Sequence, residues 1–189
     1  MDLKEKVKTL SRGQLRVDKS VLNKNVQDLF NIFPDFGNVL QASSAVVAGS
    51  FPLQMIMNVV WSDSDVDIWT SSRRGVKNLI SYFLQLDYEL PSQLGTESLS
   101  EDYLRFGSTV KNIHFLHHIQ KAKFPRVQII VLRTYEDQKD TIYPILSAVN
   151  NFDIDACKVI FDGQKFLTMF DLTYLPEKET SIGMQAIET

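Results

Sequence analysis

Residues 36–62 form a run of 27 consecutive residues without Asp, Glu, Lys, Arg or His. That length is enough to cross a bilayer, whose apolar core is about 30 Å thick. The run also contains glycine, proline, serine, asparagine and glutamine, whose polar groups and backbone breaks are costly in lipid. A strand and a helix buried in a protein core explain the composition better. We therefore expect this run to lie at the centre of a globular domain, and we expect no membrane span.

The chain has 189 residues, and its length predicts a single domain over residues 1–189. Hydrophobic residues make up 44% of it, which is enough for a packed core. A net charge of −3 argues against a protein that mainly coats a nucleic-acid backbone. The single cysteine excludes an internal disulfide, and the N-terminus has no apolar signal segment. We expect an intracellular, cytoplasmic protein, located in the host cytoplasm if its source is viral.

The spacing of apolar residues predicts helices and strands in mixed order. Helical spacing indicates helices at residues 18–33, 50–61, 74–86 and 134–149. Alternation or short apolar runs predict strands at residues 44–48, 65–70, 112–120, 126–132, 152–161 and 166–170. Residues 90–100 are typical of a loop. This order predicts a mixed β-sheet flanked by helices, of the α/β or α+β class.

The segment with the most chemical information joins two of these strands. The first strand ends at Gly49 and Ser50, where glycine lets a ligand approach and the amides of a helix start can hold phosphate oxygens. After 14 further residues, Asp65 and Asp67 occupy alternate positions of the next strand. Their carboxylates share one face, about 6–7 Å apart along the backbone. Neither has an obvious basic partner in the sequence, and such carboxylates suit Mg²⁺ or Mn²⁺ that bridges to substrate phosphates.

These residues resemble the fingerprint of the nucleotidyltransferase superfamily, which includes polymerase-β-like enzymes. That fingerprint is a hydrophobic strand ending in Gly-Ser, a spacer, and Asp-hydrophobic-Asp-hydrophobic, as in Gly49-Ser50 and Asp65-Val66-Asp67-Ile68. Residues 152–163 are similar to a segment of uncharacterised members from large DNA viruses, fungi and protists. The resemblance implies a nucleotidyltransferase-like fold. It also implies metal-dependent transfer of a nucleoside monophosphate from a nucleoside triphosphate to a hydroxyl acceptor, which the sequence does not identify as nucleic acid or protein.

The family places a third metal-binding carboxylate on a later strand, where this chain has Gln128. A neutral amide adds no charge to a metal site and cannot act as a general base. Asp153 or Asp155 supplies the missing carboxylate if the sheet order brings it beside Asp67. Otherwise the alternative is a catalytically silent protein of the same fold, which binds a nucleotide or a protein partner.

The resemblance implies a role for each candidate residue. Metal ligation falls to Asp65 and Asp67, and the catalytic set is Asp65, Asp67, Gln128 and Asp153. Nucleotide binding falls to Gly49, Ser50 and Arg73. Further basic residues are candidates for a rim that binds triphosphate or nucleic acid: Arg74, Lys121, Lys123 and Arg126. The sequence does not indicate the oligomeric state.

Overall fold

The computed structural model describes residues 18–61, 64–90, 109–120, 124–133, 142–168 and 185–188. Within these ranges the helices are α1 (Lys19–Ile32), α2 (Phe36–Ala42), α3 (Ser50–Met57), α4 (Arg73–Gln85) and α5 (Tyr143–Asn150), with a 3₁₀ turn at Asp155–Cys157. The strands are β1 (Ala45–Ala48), β2 (Asp65–Thr70), β3 (Tyr88–Glu89), β4 (Val110–His118), β5 (Arg126–Leu132), β6 (Val159–Phe161), β7 (Lys165–Thr168) and β8 (Gln185–Glu188). The predicted α+β class is confirmed.

The described strands form one mixed sheet in the order β3-β4-β5-β2-β1-β6-β7-β8. The β2–β5 pair is parallel, and the other neighbouring pairs are antiparallel. The central strands are therefore β5, β2 and β1, which are apolar on both sides over most of their length. This order brings the start of β2, the start of β5 and the end of β1 to one edge of the sheet.

Side-chain caps explain where two of the helices begin. The Asp18 carboxylate accepts hydrogen bonds from the backbone N–H groups of Ser20 and Val21 and starts α1. The Ser72 hydroxyl accepts from the Gly75 N–H and starts α4. Both helices were predicted, because caps and apolar spacing are local signals. Helix α2 was not predicted, since it follows directly on the turn at Pro34 and has only seven residues.

The two faces of the sheet have separate cores. Helices α1 to α4 cover one face and share the larger apolar cluster, which includes Phe33, Phe36, Phe83, Val66, Ile68, Val127 and Ile129. Helix α5 covers part of the other face with a smaller cluster, which includes Val46, Trp69, Ile130, Ile145, Val149 and Ile160. The alternation of β2 places Asp65 and Asp67 on the α5 face, together with Trp69.

Several predicted bounds differ from the structure. The strand expected at residues 152–161 is wrong over most of its length, because a 3₁₀ turn occupies Asp155–Cys157 and only Val159–Phe161 pairs with β1. The helix expected to reach residue 61 ends at Met57, because Asn58 adopts the left-handed conformation. Residues 91–108 and 134–141, part of the predicted loop and helix, lie outside the described residues. In the part of the chain that is described, no helix meets the length and apolarity needed for a membrane span.

Candidate functional site

The candidate site lies where β2 and β5 begin and β1 ends. In the parallel register, Asp65 pairs with Arg126, and Asp67 pairs with Gln128. Odd positions of β2 and even positions of β5 therefore share the α5 face. The apolar contacts of α5 involve residues farther along both strands, such as Trp69 and Ile130. The polar residues thus lie at the end of this face, beyond the residues that pack against α5.

Two neighbours on β5 hold the Asp65 carboxylate. The Arg126 Nε lies 2.6 Å from Asp65 Oδ1 and forms an ion pair with it. The Gln128 Nε2 donates a hydrogen bond to Asp65 Oδ2. The expectation that Asp65 lacks a basic partner is therefore wrong. Its partner is 61 residues away in sequence and becomes adjacent only through the β2–β5 pairing.

Asp67 has a different environment from Asp65. Its Oδ1 is buried and has no hydrogen-bond partner in the described part of the chain. Burial, followed by the negative charge of Asp65, raises the pKa of the Asp67 carboxyl to about 7. Two carboxylates thus share one site, and the ion pair with Arg126 involves only one of them. A cation or a hydrogen-bond donor from a ligand would compensate the second carboxylate.

Gly49 keeps the space above Asp67 open. Its φ of 98° is in the region that favours glycine. A Cβ at this position would lie 3.7 Å from Asp67 Oδ2 and 3.8 Å from the Phe152 ring. The Gly49 N–H donates to the Val159 carbonyl at 3.2 Å, which fixes the end of β1 against β6. The structure therefore brings Gly49 to the carboxylates, as the sequence predicts, with half-buried Ser50 as the first residue of α3.

A buried glutamine, which the sequence analysis missed, positions the start of β2. The Gln54 Nε2 donates to Ser64 Oγ at 2.5 Å and to the Ser50 carbonyl at 3.4 Å. Its Oε1 accepts from the Trp61 N–H at 2.8 Å. These bonds connect α3 to the residue that precedes Asp65. A polar residue on the buried side of an otherwise apolar helix was the available signal.

The other candidates have different positions in the structure or lie outside the described residues. Arg73 begins α4, after the far end of β2 from Asp65, and its role in nucleotide binding stays a prediction. Asp153 is exposed in the connection between α5 and the 3₁₀ turn. The Asp155 carboxylate pairs with Lys158 Nζ at 2.6 Å. Lys121 and Lys123 lie outside the described residues.

The donor set restricts which metal the site could hold. Within the described ranges, no group of three or more His, Cys, Asp or Glu side chains could hold a metal ion. The expected third carboxylate from Asp153 or Asp155 is therefore not supplied at Asp65 and Asp67. One or two carboxylates still fit Mg²⁺, which commonly takes its other ligands from water and substrate phosphates. Asp65 and Asp67 would hold such an ion.

Comparison with known proteins identifies the family. The model of the Gad2 family, described as Gabija anti-defense 2 family protein, matches residues 20–175. The chain belongs to the Gad2 family. This match includes the helices, the central strands and every residue of the candidate site. No curated protein sequence matches this Gad2-family chain.

The family match corrects the interpretation of the sequence motif. Assignment to the nucleotidyltransferase superfamily is wrong, because the matching family is Gad2 and no nucleotidyltransferase family matches. The resemblance depended on Gly49-Ser50 and Asp65-Val66-Asp67-Ile68. A strand that ends in a glycine turn beside a strand with alternating carboxylates produces such a pattern through local geometry alone. The motif located a real cluster of side chains in this Gad2-family chain, but it did not identify the family.

Proposed function

We propose that this chain acts against Gabija defence, as its family name describes, through a nucleotide-dependent site at Asp65 and Asp67. In this proposal the two carboxylates bind a nucleoside triphosphate together with Mg²⁺ or Mn²⁺. The proposal depends on one observation: the two carboxylates differ in their hydrogen-bond and ion-pair partners. Asp65 has Arg126 and Gln128 as partners, whereas Asp67 Oδ1 is buried without one among the described residues.

The surrounding backbone supports a phosphate-bearing ligand. Gly49 has no side chain over Asp67, so a ligand can approach the carboxylate from the end of β1. The first N–H groups of α3 follow directly at Ser50, and such groups favour phosphate oxygens. Arg126 at the rim adds a fixed positive charge. A triphosphate would therefore meet backbone donors on one side and a cation held by the carboxylates on the other.

Transfer of a nucleoside monophosphate to a hydroxyl acceptor is the reaction proposed for this site. The acceptor oxygen would bond to the α-phosphorus of the triphosphate, the bond from that phosphorus to the β-phosphate would break, pyrophosphate would leave, and the hydroxyl proton would pass to solvent. The bound cation would neutralise charge that develops on the phosphates. The protein's own contribution would be to hold the triphosphate at Gly49 and Ser50 and to orient Asp67. The acceptor would approach from the side on which Arg126 is exposed.

Nucleotide binding without transfer is the second candidate function. Gln128 favours it, because this amide bonds to Asp65 where a third carboxylate was expected. An amide cannot accept a proton from an attacking hydroxyl. In this case the chain would oppose Gabija by sequestering a nucleotide or by presenting a nucleotide-dependent surface to a protein partner. Under either candidate we propose a cytoplasmic location.

Two assays test the proposal and separate its candidates. Cells that express Gabija are challenged with a Gabija-sensitive phage, with wild-type chain or with Asp65→Asn/Asp67→Asn. We expect plaques to return with the wild type but not with the double variant, at equal protein levels. Rescue by the double variant would overturn the site's role. Incubation with labelled nucleoside triphosphates and Mg²⁺ then shows labelled product if transfer occurs, and bound but unchanged nucleotide if it does not.

A further inference from the structure

A cavity of about 750 Å³ lies beside the candidate site, on the side of the sheet that faces α1 and α3. Its volume is in the range of about 300–1,000 Å³ found for pockets that enclose small molecules. Trp61, Ser64 and Arg126 are part of its wall. Ser64 precedes Asp65 in sequence, and Arg126 forms the ion pair with Asp65. Two residues of the cavity wall are therefore direct neighbours of Asp65.

The wall of the cavity is suited to a planar ring. Phe51, Trp61 and Phe124 line it, and all three are only partly buried. The ring of His118 stacks on Phe124 with centroids 3.8 Å apart, which restricts the orientation of Phe124. Aromatic side chains of this kind stack on nucleobases and thereby contribute to their binding.

Polar groups also belong to residues that line the cavity. The Trp61 indole Nε1 is buried and has no hydrogen-bond partner in the described part of the chain. An unpaired buried donor is costly and favours a ligand that brings an acceptor, such as a ring nitrogen or a carbonyl of a base. Asp28 and Arg126 also line the cavity, and both are exposed to solvent. Arginine is well suited to a phosphate group.

We propose that this cavity binds a nucleoside monophosphate, with its base between Phe51, Trp61 and Phe124 and its phosphate at Arg126. The site is distinct from the carboxylate pair and needs no divalent cation. Its ribose hydroxyls would lie near the wall formed by Ser64 and Arg126, next to Asp65. As the acceptor in nucleotidyl transfer, this nucleotide would use a ribose hydroxyl to bond to the α-phosphorus of the triphosphate and displace pyrophosphate. That role rests on the proposed function, whereas the binding of the nucleotide does not.

The two tryptophans of the chain provide a direct test. The full chain is labelled with ¹⁵N, and its two indole N–H signals are assigned with Trp61→Phe. AMP, GMP, CMP and UMP are titrated without divalent cation. We expect at least one of them to shift the Trp61 signal saturably and to leave the signal of Trp69, which is buried in β2, in place. The proposal is overturned if none of the four nucleotides shifts the Trp61 signal. Toluene, an apolar ring without a phosphate, is titrated as the control, and the proposal is also overturned if toluene binds as tightly as every nucleotide.

Variants then test each end of the ligand by calorimetry. Trp61→Phe retains a ring but removes the donor, and should weaken nucleotide binding about tenfold. Arg126→Gln should reduce the affinity for AMP to that for adenosine. Leu84→Ala, on the exposed side of α4, is the matched control and should bind as the wild type does. Equal AMP binding by all three variants would contradict the assignment.

The double variant Asp65→Asn/Asp67→Asn separates this inference from the proposed function. It should lose binding of the cation-bound triphosphate and retain binding of AMP. If it retains both, the proposed function fails and the cavity site stands. If AMP binding disappears with the carboxylates, the nucleotide does not occupy the cavity, and the inference is overturned.

Discussion

The two faces of the central sheet differ in how completely their polar groups are compensated. On the face that packs against α1 to α4, the residues of β2 and β5 are buried and apolar. Phe83 on that face contacts four other aromatic rings. On the α5 face, the same strands begin with Asp65, Asp67 and Gln128, and the apolar contacts start only beyond them. One face is apolar along both strands, whereas the other has a cluster of polar side chains where the strands begin.

This difference shows where a substitution should affect stability and where it should affect binding. Apolar burial contributes about 25 cal/mol per Å². The face covered by α1 to α4, which has the larger apolar cluster, therefore contributes more to the free energy of folding than the α5 face does. Two neighbouring carboxylates, one of them with a buried unpartnered oxygen, add nothing comparable. Under the proposed function, a bound ligand would compensate the cost of placing these two carboxylates together.

The largest expected effect is on the apolar face. Phe83 is fully buried and contacts Phe33, Phe36 and Tyr88. Phe83→Ala should lower the free energy of unfolding by about 3–5 kcal/mol, because it leaves a cavity that its neighbours cannot fill. Urea denaturation measures the loss. Leu84→Ala, at the half-exposed next residue, is the control, and an equally small loss in both variants would contradict the assigned core.

A smaller effect of opposite sign is expected at Asp67. Its pKa is raised from 3.8 to about 7 on folding, so between these values the native state binds more protons than the unfolded state. The stability from this group is present below pH 3.8 and is lost as the pH rises to about 7. Asp67→Asn removes that loss and should be more stable than the wild type at pH 8, by roughly 2–4 kcal/mol.

Urea denaturation of both proteins between pH 4 and pH 8 checks this prediction. The two stabilities should converge near pH 4 and separate as the pH rises. Parallel profiles would show that the Asp67 carboxyl titrates normally and that the α5 face holds no strained charge.

Gln128→Asp should turn the polar end of the α5 face into a site with three carboxylates. Without metal, the loss of the bond to Asp65 and the added charge should cost about 1–3 kcal/mol. Millimolar Mg²⁺ should restore the stability of Gln128→Asp, and it should bind to this variant more tightly than to the wild type. Gln27→Asp on the exposed side of α1 is the control. A response to Mg²⁺ that is the same in both variants would refute this account of Gln128.

The smallest change in stability is expected at Gly49. A Cβ there meets only ordinary contacts at 3.7 Å and 3.8 Å, so the cost comes from the φ of 98°. Gly49→Ala should lose about 1–2 kcal/mol in thermal or urea unfolding and should also weaken nucleotide binding. Leu84→Ala, on the exposed side of α4, is the control and should change neither stability nor nucleotide binding appreciably. Nucleotide binding at wild-type strength in Gly49→Ala would show that Gly49 is only a turn residue.

Local signals in the sequence predicted much of the fold. The Asp18 cap and the apolar spacing of Leu22 and Leu29 give α1. The alternation of residues 65–70 gives β2, and Asp162-Gly163 gives the turn between β6 and β7. Each of these depends on residues within about two turns of helix or one strand.

The contacts that define the site depend on pairings that a single sequence does not specify. Arg126 reaches Asp65 only because β5 lies parallel to β2, and nothing near either residue indicates that pairing. Arg73 follows the end of β2 that lies away from Asp65. The alternation of residues 152–161 suggested one strand, but the Asp155–Lys158 ion pair accompanies a 3₁₀ turn. Strand order is a property of the packed chain.

Calorimetry with Mg²⁺ and a nucleoside triphosphate tests the central claim, that the pair of Asp65 and Asp67 is a cation and nucleotide site. Each of the four triphosphates is titrated with Mg²⁺ into the wild type and into Asp65→Asn/Asp67→Asn, after both are shown to be folded. We predict saturable binding of at least one triphosphate by the wild type, loss of that binding in the double variant, and loss when EDTA removes the metal. Equal binding by both proteins, or no binding of any triphosphate by the wild type, would contradict it.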